Sequence, residues 1–238
     1  MLCSSATMNK ILIPLLFLST ASIATVISTA PANEAAPSST SNQASAESGE
    51  LTRKMFTEDK VAPMVKPAKY DLTIVEFTDY QCPYCKKVHA DLQKLVANDR
   101  KIRIIYRDWP IFGEQSVAAA RIAIASNYQG KHAQVHDALM KTPRPLSDQS
   151  IRAAATKAGA NWTRLKADMK KNKGAIDALL ARNNEQAEAL GLQGTPAFII
   201  GNYLSEGGID YKGLKEAVQT ARTKPNPALK PIERPEGI

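Results

Sequence analysis

The alternation of apolar and polar residues divides the chain into segments of different period. Asp71-Leu-Thr-Ile-Val-Glu-Phe-Thr78 concentrates β-branched and aromatic residues and predicts a buried strand. Helical spacing follows: Val88, Leu92, Leu95 and Val96 predict a helix reaching Asn98. Pro83 falls in its first turn, where a missing N–H leaves no bond unmade. Lys101-Ile-Arg-Ile-Ile-Tyr106 returns to strand character. This stretch therefore reads strand, helix, strand.

A long helical region comes next. Glu114 to Tyr128 places Val117, Ala120 and Ile124 on one face, and Lys131 to Met140, Ser147 to Ala158, Trp162 to Lys171 and Ala175 to Leu190 read as further helices. Gly130, Pro143, Pro145, Gly159 and Gly174 punctuate them. Gly194-Thr-Pro-Ala-Phe-Ile-Ile-Gly201 then predicts a strand that opens at a proline, with Tyr203 to Glu206 as a pairing strand and Tyr211 to Arg222 as a closing helix. The chain has no internal repeats. It reads as an α/β protein: a β-α-β half, a helical insertion over about 112–190, and a β-β-α half.

The flanks differ from this body. Lys10 precedes an apolar run, Ile11 to Leu18, and small residues close the segment at Ala30 and Ala32, the pattern of a cleavable signal peptide over 1–32. The run is short against the ~20 residues of a membrane span. Met8 is an alternative start, and Cys3, ahead of the apolar run, leaves with the signal. Residues 33–50 are Ala, Ser, Glu, Pro and Asn with almost no large apolar side chain, a disordered spacer. Residues 51–69, with Met55, Phe56, Val61, Met64 and Val65, form a short helix or N-terminal arm that packs on a domain over 70–223, and 224–238, with four prolines, form a tail.

Charge changes this picture little. The 238 residues carry a net +8, with Lys170, Lys171 and Lys173 the nearest approach to a cluster. No aromatics interleave with the basic residues and no nucleic-acid motif is present, so the charge reads as a solvated surface.

Cysteine usage changes it most. Cys82 and Cys85 flank Pro83-Tyr84 at the predicted strand-to-helix turn, and without Cys3 they are the remaining thiols of a protein sent to an oxidising compartment. A structural zinc site needs about four ligands, and here one cysteine pair stands beside His89, His132 and His136. The last two are four apart on a helix, spaced for a metal clip but read more simply as surface residues. A purely structural disulfide over so small a loop would stabilise little. Redox chemistry suits the pair better. Cys82 sits at a helix N-terminus, whose partial positive charge and free N–H groups favour a thiolate. Cys85, one turn further in, is expected to be shielded. Glu76 interrupts the apolar strand six residues before Cys82. Two readings stand: an exposed edge position, or a buried carboxyl of raised pKa that exchanges a proton with Cys85.

Together the Glu76-to-Cys82 spacing, the Cys-Pro-Tyr-Cys turn and Gly194-Thr195-Pro196 resemble the thioredoxin-fold disulfide oxidoreductases. The helical insertion and the signal peptide are similar to the DsbA-like branch of secreted bacterial enzymes, over roughly Tyr70 to Arg222. The resemblance implies a thioredoxin fold with a helical insertion, Cys82 as nucleophile, Cys85 as resolving cysteine and Glu76 as buried proton acceptor and donor. It implies a cis Thr195–Pro196 bond facing the cysteines, where the sequence alone suggests an ordinary trans proline at a strand edge. Pro83, Tyr84, Thr195 and Pro196 would contact substrate. No cofactor or metal is implied beyond a Cys82–Cys85 redox disulfide.

The implied partners are unfolded or partly folded secreted proteins with free thiols and a membrane oxidase of the DsbB type, or a reductase partner, in the periplasm. The expected activity is the introduction of disulfide bonds, with isomerase or reductase as the alternative. A glutathione-linked glutaredoxin, and a peptide-holding chaperone or metal carrier, are the more distant ones. Tyr84 stands where the best-known oxidases of the family carry histidine, and Thr195 is a residue shared with isomerases and with several DsbA-like relatives. Direction of electron flow is therefore left open by these residues.

Overall fold

The computed structural model describes residues 53–224 and 230–231. The signal peptide, the spacer and most of the C-terminal tail read from the sequence lie outside the described residues. The N-terminal arm begins with a short helix, α1 (Arg53–Thr57), and continues into a two-residue strand, β1 (Met64–Val65). The core then runs β2 (Leu72–Thr78), α2 (Pro83–Asn98), β3 (Ile102–Asp108). Helices α3 (Glu114–Ser126), α4 (His132–Lys141), α5 (Asp148–Lys157), α6 (Trp162–Lys171) and α7 (Lys173–Ala189) form the insertion. The chain returns through β4 (Ala197–Ile200), β5 (Tyr203–Glu206) and α8 (Tyr211–Thr223), and β6 (Lys230–Pro231) closes the set.

The sheet is mixed, in the order β1-β3-β2-β4-β5-β6. β2 and β3 are parallel, joined through α2, and β4 runs antiparallel to β2. β2 is thus a central strand, and all seven of its residues are buried. Its alternation serves two cores. Leu72 and Ile74 face α2 and α8 with Ile102, Ile104, Tyr106, Phe198 and Leu214. Val75 and Phe77 face the opposite side, with Phe56 of the arm, Ile105, Ile199 and the alanine-rich α3. Burying an aliphatic side chain contributes about 1.5–3 kcal/mol, so these two layers dominate stability.

Three sequence expectations are revised. β3 extends two residues beyond Tyr106, because Arg107 and Asp108 stay in the ladder opposite Phe77 and Thr78. Gly174 does not separate helices but lies in the first turn of α7. The 51–69 arm is more than a packed helix, since β1 adds an antiparallel edge to β3. The arm is also fastened by charge. Arg107, fully buried, donates to Asp59 Oδ2 (2.8 Å), Asn183 Oδ1 (3.1 Å) and the Phe56 carbonyl (2.9 Å). Arg182 of α7 adds a bond to the same Asp59 oxygen (2.8 Å). One carboxylate thereby joins arm, sheet and insertion.

Candidate active site

Residues 79–82 turn the chain from the end of β2 into α2, and Asp79 builds that turn. Its Oδ1 accepts from the Gln81 amide (2.6 Å) and the Ser116 hydroxyl (2.7 Å). Its Oδ2 accepts from the amides of Ile111 (2.8 Å) and Phe112 (3.1 Å). A buried carboxylate with four donors is satisfied. It holds the loop after β3 against the start of α2. Gln81 reinforces this, donating to the Phe112 carbonyl (3.1 Å) and accepting from the Leu146 amide (3.0 Å).

Cys82 is the N-cap of α2, with Pro83 following at its first position. Its sulfur accepts from the Cys85 amide at 3.3 Å, and its thiol donates to the Thr195 carbonyl at 3.1 Å. Both cysteines are reduced and buried. Their acidities diverge. A hydrogen bond from the Cys85 thiol, with those from Thr195 and the Cys85 and Tyr84 amides, outweighs burial and brings Cys82 down to about 6. Burial, together with the charge on Cys82, pushes Cys85 well up. One sulfur ionises readily and the other holds its proton.

The Thr195–Pro196 bond is cis, and Arg144–Pro145 is a second cis bond on the insertion. The Pro196 carbonyl accepts from the Gly207 amide (2.8 Å), fixing the strand entry below Cys82. Around the cysteines three apolar side chains are exposed: Tyr84 at 63%, Ile111 at 42% and Phe112 at 43%.

Glu76 occupies the buried alternative. It lies on the α2 face of the central strand, opposite Tyr106 in β3 and Phe198 in β4, with neither carboxyl oxygen hydrogen-bonded. Burial, and then the neighbouring Asp108, push it up to about 8, while burial raises Asp108 itself to about 7. Asp108 carries no signal in the sequence, where apolar strand character stops at Tyr106.

The histidines contradict the expectation of surface residues. His132 and His136 are 4% and 0% exposed, stacked 5.7 Å apart and packed on Tyr106. With Val135, Leu139 and Met140 they form the core-facing stripe of α4. The signal was their fall on that apolar period. Nor do they supply a metal site: among the described residues no group of three or more His, Cys, Asp or Glu is arranged to hold an ion.

Comparison with known proteins agrees with this geometry. The model of the DSBA-like thioredoxin domain matches residues 73–219, spanning both halves of the sheet and the insertion between them. The chain belongs to the DSBA-like thioredoxin domain family. It is similar to a thioredoxin-like oxidoreductase from Silicibacter pomeroyi, with 36% identity and a TM-score of 0.68 over 72% of this chain and 98% of that one. A periplasmic thioredoxin-like protein from Salmonella enterica serovar Typhimurium shares 33% identity, with a TM-score of 0.63 over 70% and 92% of the two chains. The thiol-disulfide exchange protein alpha-DsbA2 from Wolbachia pipientis shares 30%, with a TM-score of 0.66 over 70% and 89%. DSBA-like proteins work through their own cysteine pair and need no external cofactor.

The curated relatives are longer. The Na(+)/H(+) antiporter NhaA 1 of Salinispora arenicola is 26% identical over 176 residues, 71% of this chain but only 27% of that protein. Among the described residues, no helix is long and apolar enough to cross a membrane.

Proposed function

We propose that this DSBA-like protein introduces disulfide bonds into secreted proteins in the periplasm, with Cys82 as nucleophile and Cys85 as resolving cysteine. The observation that carries the reading is the divergence of the two sulfurs, Cys82 brought down to about 6 and Cys85 pushed well up. A stabilised Cys82 thiolate favours the reduced protein, which makes the Cys82–Cys85 disulfide an oxidant. In the forward reaction a substrate thiolate attacks Cys82 Sγ. The Cys82–Cys85 bond breaks, its electron pair leaves on Cys85, and Cys85 takes a proton from Glu76. A second substrate thiol then attacks the mixed disulfide, leaving the substrate oxidised and Cys82 as thiolate.

Substrate chain would lie along Thr195 and Pro196, over Pro83 and the exposed Tyr84. In the Cys82–Cys85 disulfide, and in the mixed disulfide that follows, Cys82 carries no thiol proton, so the Thr195 carbonyl that it meets in the reduced form would be free to accept from a substrate amide, strand fashion. The Cys82–Cys85 pair would be reoxidised by a membrane oxidase of the DsbB type. The periplasmic setting is supported by the sequence of residues 1–32 and by the Salmonella relative.

Isomerase or reductase activity is the second reading. Its support is Tyr84, which offers no positive charge to Cys82. Equilibration of the pair against a glutathione buffer series separates the two. A potential well above about −180 mV fits an oxidase, and one near about −270 mV fits a reductase and overturns the first reading. Cys82→Ala should abolish dithiol exchange, and Cys85→Ala should accumulate mixed disulfides on non-reducing gels.

A further inference from the structure

The three histidines of the chain, His89, His132 and His136, come from two different helices, yet all are buried in one cluster. The cluster lies on the same face of the sheet as Glu76. Tyr106, the cross-strand neighbour of Glu76, packs its ring 4.4 Å from His136 and 4.9 Å from His132. Asp108, two residues along the same face, influences both Glu76 and the Tyr80 hydroxyl. Tyr80 in turn shares a 3.0 Å hydrogen bond with His136 Nδ1. The His136 ring sits 5.2 Å from that of His89. His89 Nε2 meets Asp137 Oδ1 at 2.9 Å, and the Asp137 side chain is about one-third exposed, at 35%. A row of exchangeable groups therefore runs from the buried carboxyl to solvent at α4.

Packing alone does not account for this row. Both oxygens of Glu76, both of Asp108, and one ring nitrogen each of His89, His132 and His136 are buried without a protein hydrogen-bond partner. An unsatisfied buried polar group costs about 1–3 kcal/mol, so an apolar filling of the same volume would be more stable. Such a concentration calls for a reason besides packing, and polar walls of this kind are where ordered water bridges buried groups. The imidazoles are also in the form that passes protons on. Burial pushes His132 down to about 3 and His136 well below its ordinary value, with the neighbouring histidines and Lys86 adding to the effect on His136. A neutral imidazole accepts a proton at one nitrogen and releases one from the other, leaving no charge in the core.

We propose that Asp108, Tyr80, His136 and His89 form a water-bridged proton path between Glu76 and Asp137, so that Glu76 is reloaded from the α4 surface rather than through the substrate-covered face. The proposal deepens the function inferred above and rests on its assignment of Glu76. Per turn of the oxidising reaction the Cys82–Cys85 bond opens, Cys85 gains one proton from Glu76, and the Glu76 carboxylate regains one from solvent by way of Asp137. The other substrate thiol proton goes to solvent directly, because Cys82 ends as thiolate. In the return step the flow reverses. The charged groups facing the path from each packed element are Lys86 and Asp137 with Lys141 at its outer end, and Glu76 and Asp108 at its inner end. Tyr80, His136 and His89 are positioning residues, since none touches a sulfur.

The test is rapid mixing of the oxidised full-length protein with a small thiol at pH 6 to 9. Alkylation and mass spectrometry follow disulfide opening, in H₂O and in D₂O. Tyr80→Phe removes one oxygen and should slow opening at pH 8 by about a hundredfold, the lower end of the range for general acid–base catalysis. His136→Gln, which can still bond Tyr80, should do the same. Both should change the solvent isotope effect and the pH profile while the Cys82 titration followed at 240 nm stays in place, which loss of packing alone would not produce. If Glu76→Gln slows opening but Tyr80→Phe and His136→Gln match the unaltered protein in rate and isotope effect, the path is refuted and the role of Glu76 stands. If Glu76→Gln itself opens at the normal rate, the assignment of Glu76 falls.

Discussion

Raising the pH through the ionisation of Cys82 should change how the potential of the cysteine pair depends on pH. The Cys82 thiol is held at about 6, against an ordinary value of 9.0, by the Cys85 thiol and by amides at the start of α2. At pH 7 roughly nine-tenths of it is then thiolate, and the reduced protein gains about 1.4 kcal/mol relative to an unperturbed thiol. For a two-electron couple that amounts to about 30 mV toward a stronger oxidant. Below the Cys82 pKa reduction takes up two protons, and the potential falls by about 59 mV per pH unit. Above it one proton suffices, and the slope halves to about 30 mV. The break should lie near pH 6. Glutathione-buffered equilibria at half-unit intervals from pH 4.5 to 8 measure it, and absorbance of the thiolate at 240 nm, with Cys82→Ala as blank, gives the pKa independently. A single slope of about 59 mV across the range, or an absorbance midpoint above about 8, would show that the N-cap geometry does not stabilise the thiolate.

Other predictions concern stability. Glu76→Gln should leave stability unchanged near pH 4 and increase it by roughly 3–4 kcal/mol at pH 8 in urea titrations. The raised carboxyl favours the fold below about 4.5 and loses that contribution as pH rises through about 8, and a destabilised variant at pH 8 would contradict this. Asp59→Asn strands Arg107 in the core and should cost about 3–5 kcal/mol at pH 7. Burial alone would raise Asp59, but Arg182 and Arg107 hold it at about 2. Its contribution is therefore complete above about 3.8 and fades as pH falls through about 2, so the variant and the parent should converge in acid melts. Lys86→Met removes an ammonium that donates to the Leu139, Met140 and Thr142 carbonyls at 2.8, 3.2 and 2.8 Å, uncapping α4. A loss of about 2 kcal/mol is expected, and a change below about 0.5 kcal/mol in the melt would mean water replaces the cap.

Much of this architecture is legible in local pattern. β2, α2 and the sulfurs follow from a β-branched run, a proline and helical spacing, all decided within a few residues. Glu76 was harder, because one charged residue in an apolar strand fits an edge as well as a core. Only the strand order, which puts β4 on its other side, decides between them. The histidines differ from expectation for a related reason. Their polarity suggests a solvated surface, whereas the apolar neighbours at the same helical period place them in the core. Arg107 is hidden by its charge, since it stays in β3 only because distant Asp59 and Asn183 compensate it, and Asp108 follows it in the same strand. Asp79 gives no signal of its wider role, because three of its four donors, Ile111, Phe112 and Ser116, come from segments that meet it only in three dimensions.

The outer strands carry a final consequence. Among the described residues, both edges of the sheet, β1 and β6, are two residues long and are contributed by segments outside the matched 73–219 region. Under the proposed function the protein would meet exposed strands with unpaired backbone, and a long open edge would recruit them into aggregates. Stubs at both margins leave little backbone for a client to extend. The substrate contact proposed at Thr195 would then engage one strand transiently while the sheet itself nucleates nothing. Lengthening either stub would be expected to raise client co-precipitation without altering thiol exchange.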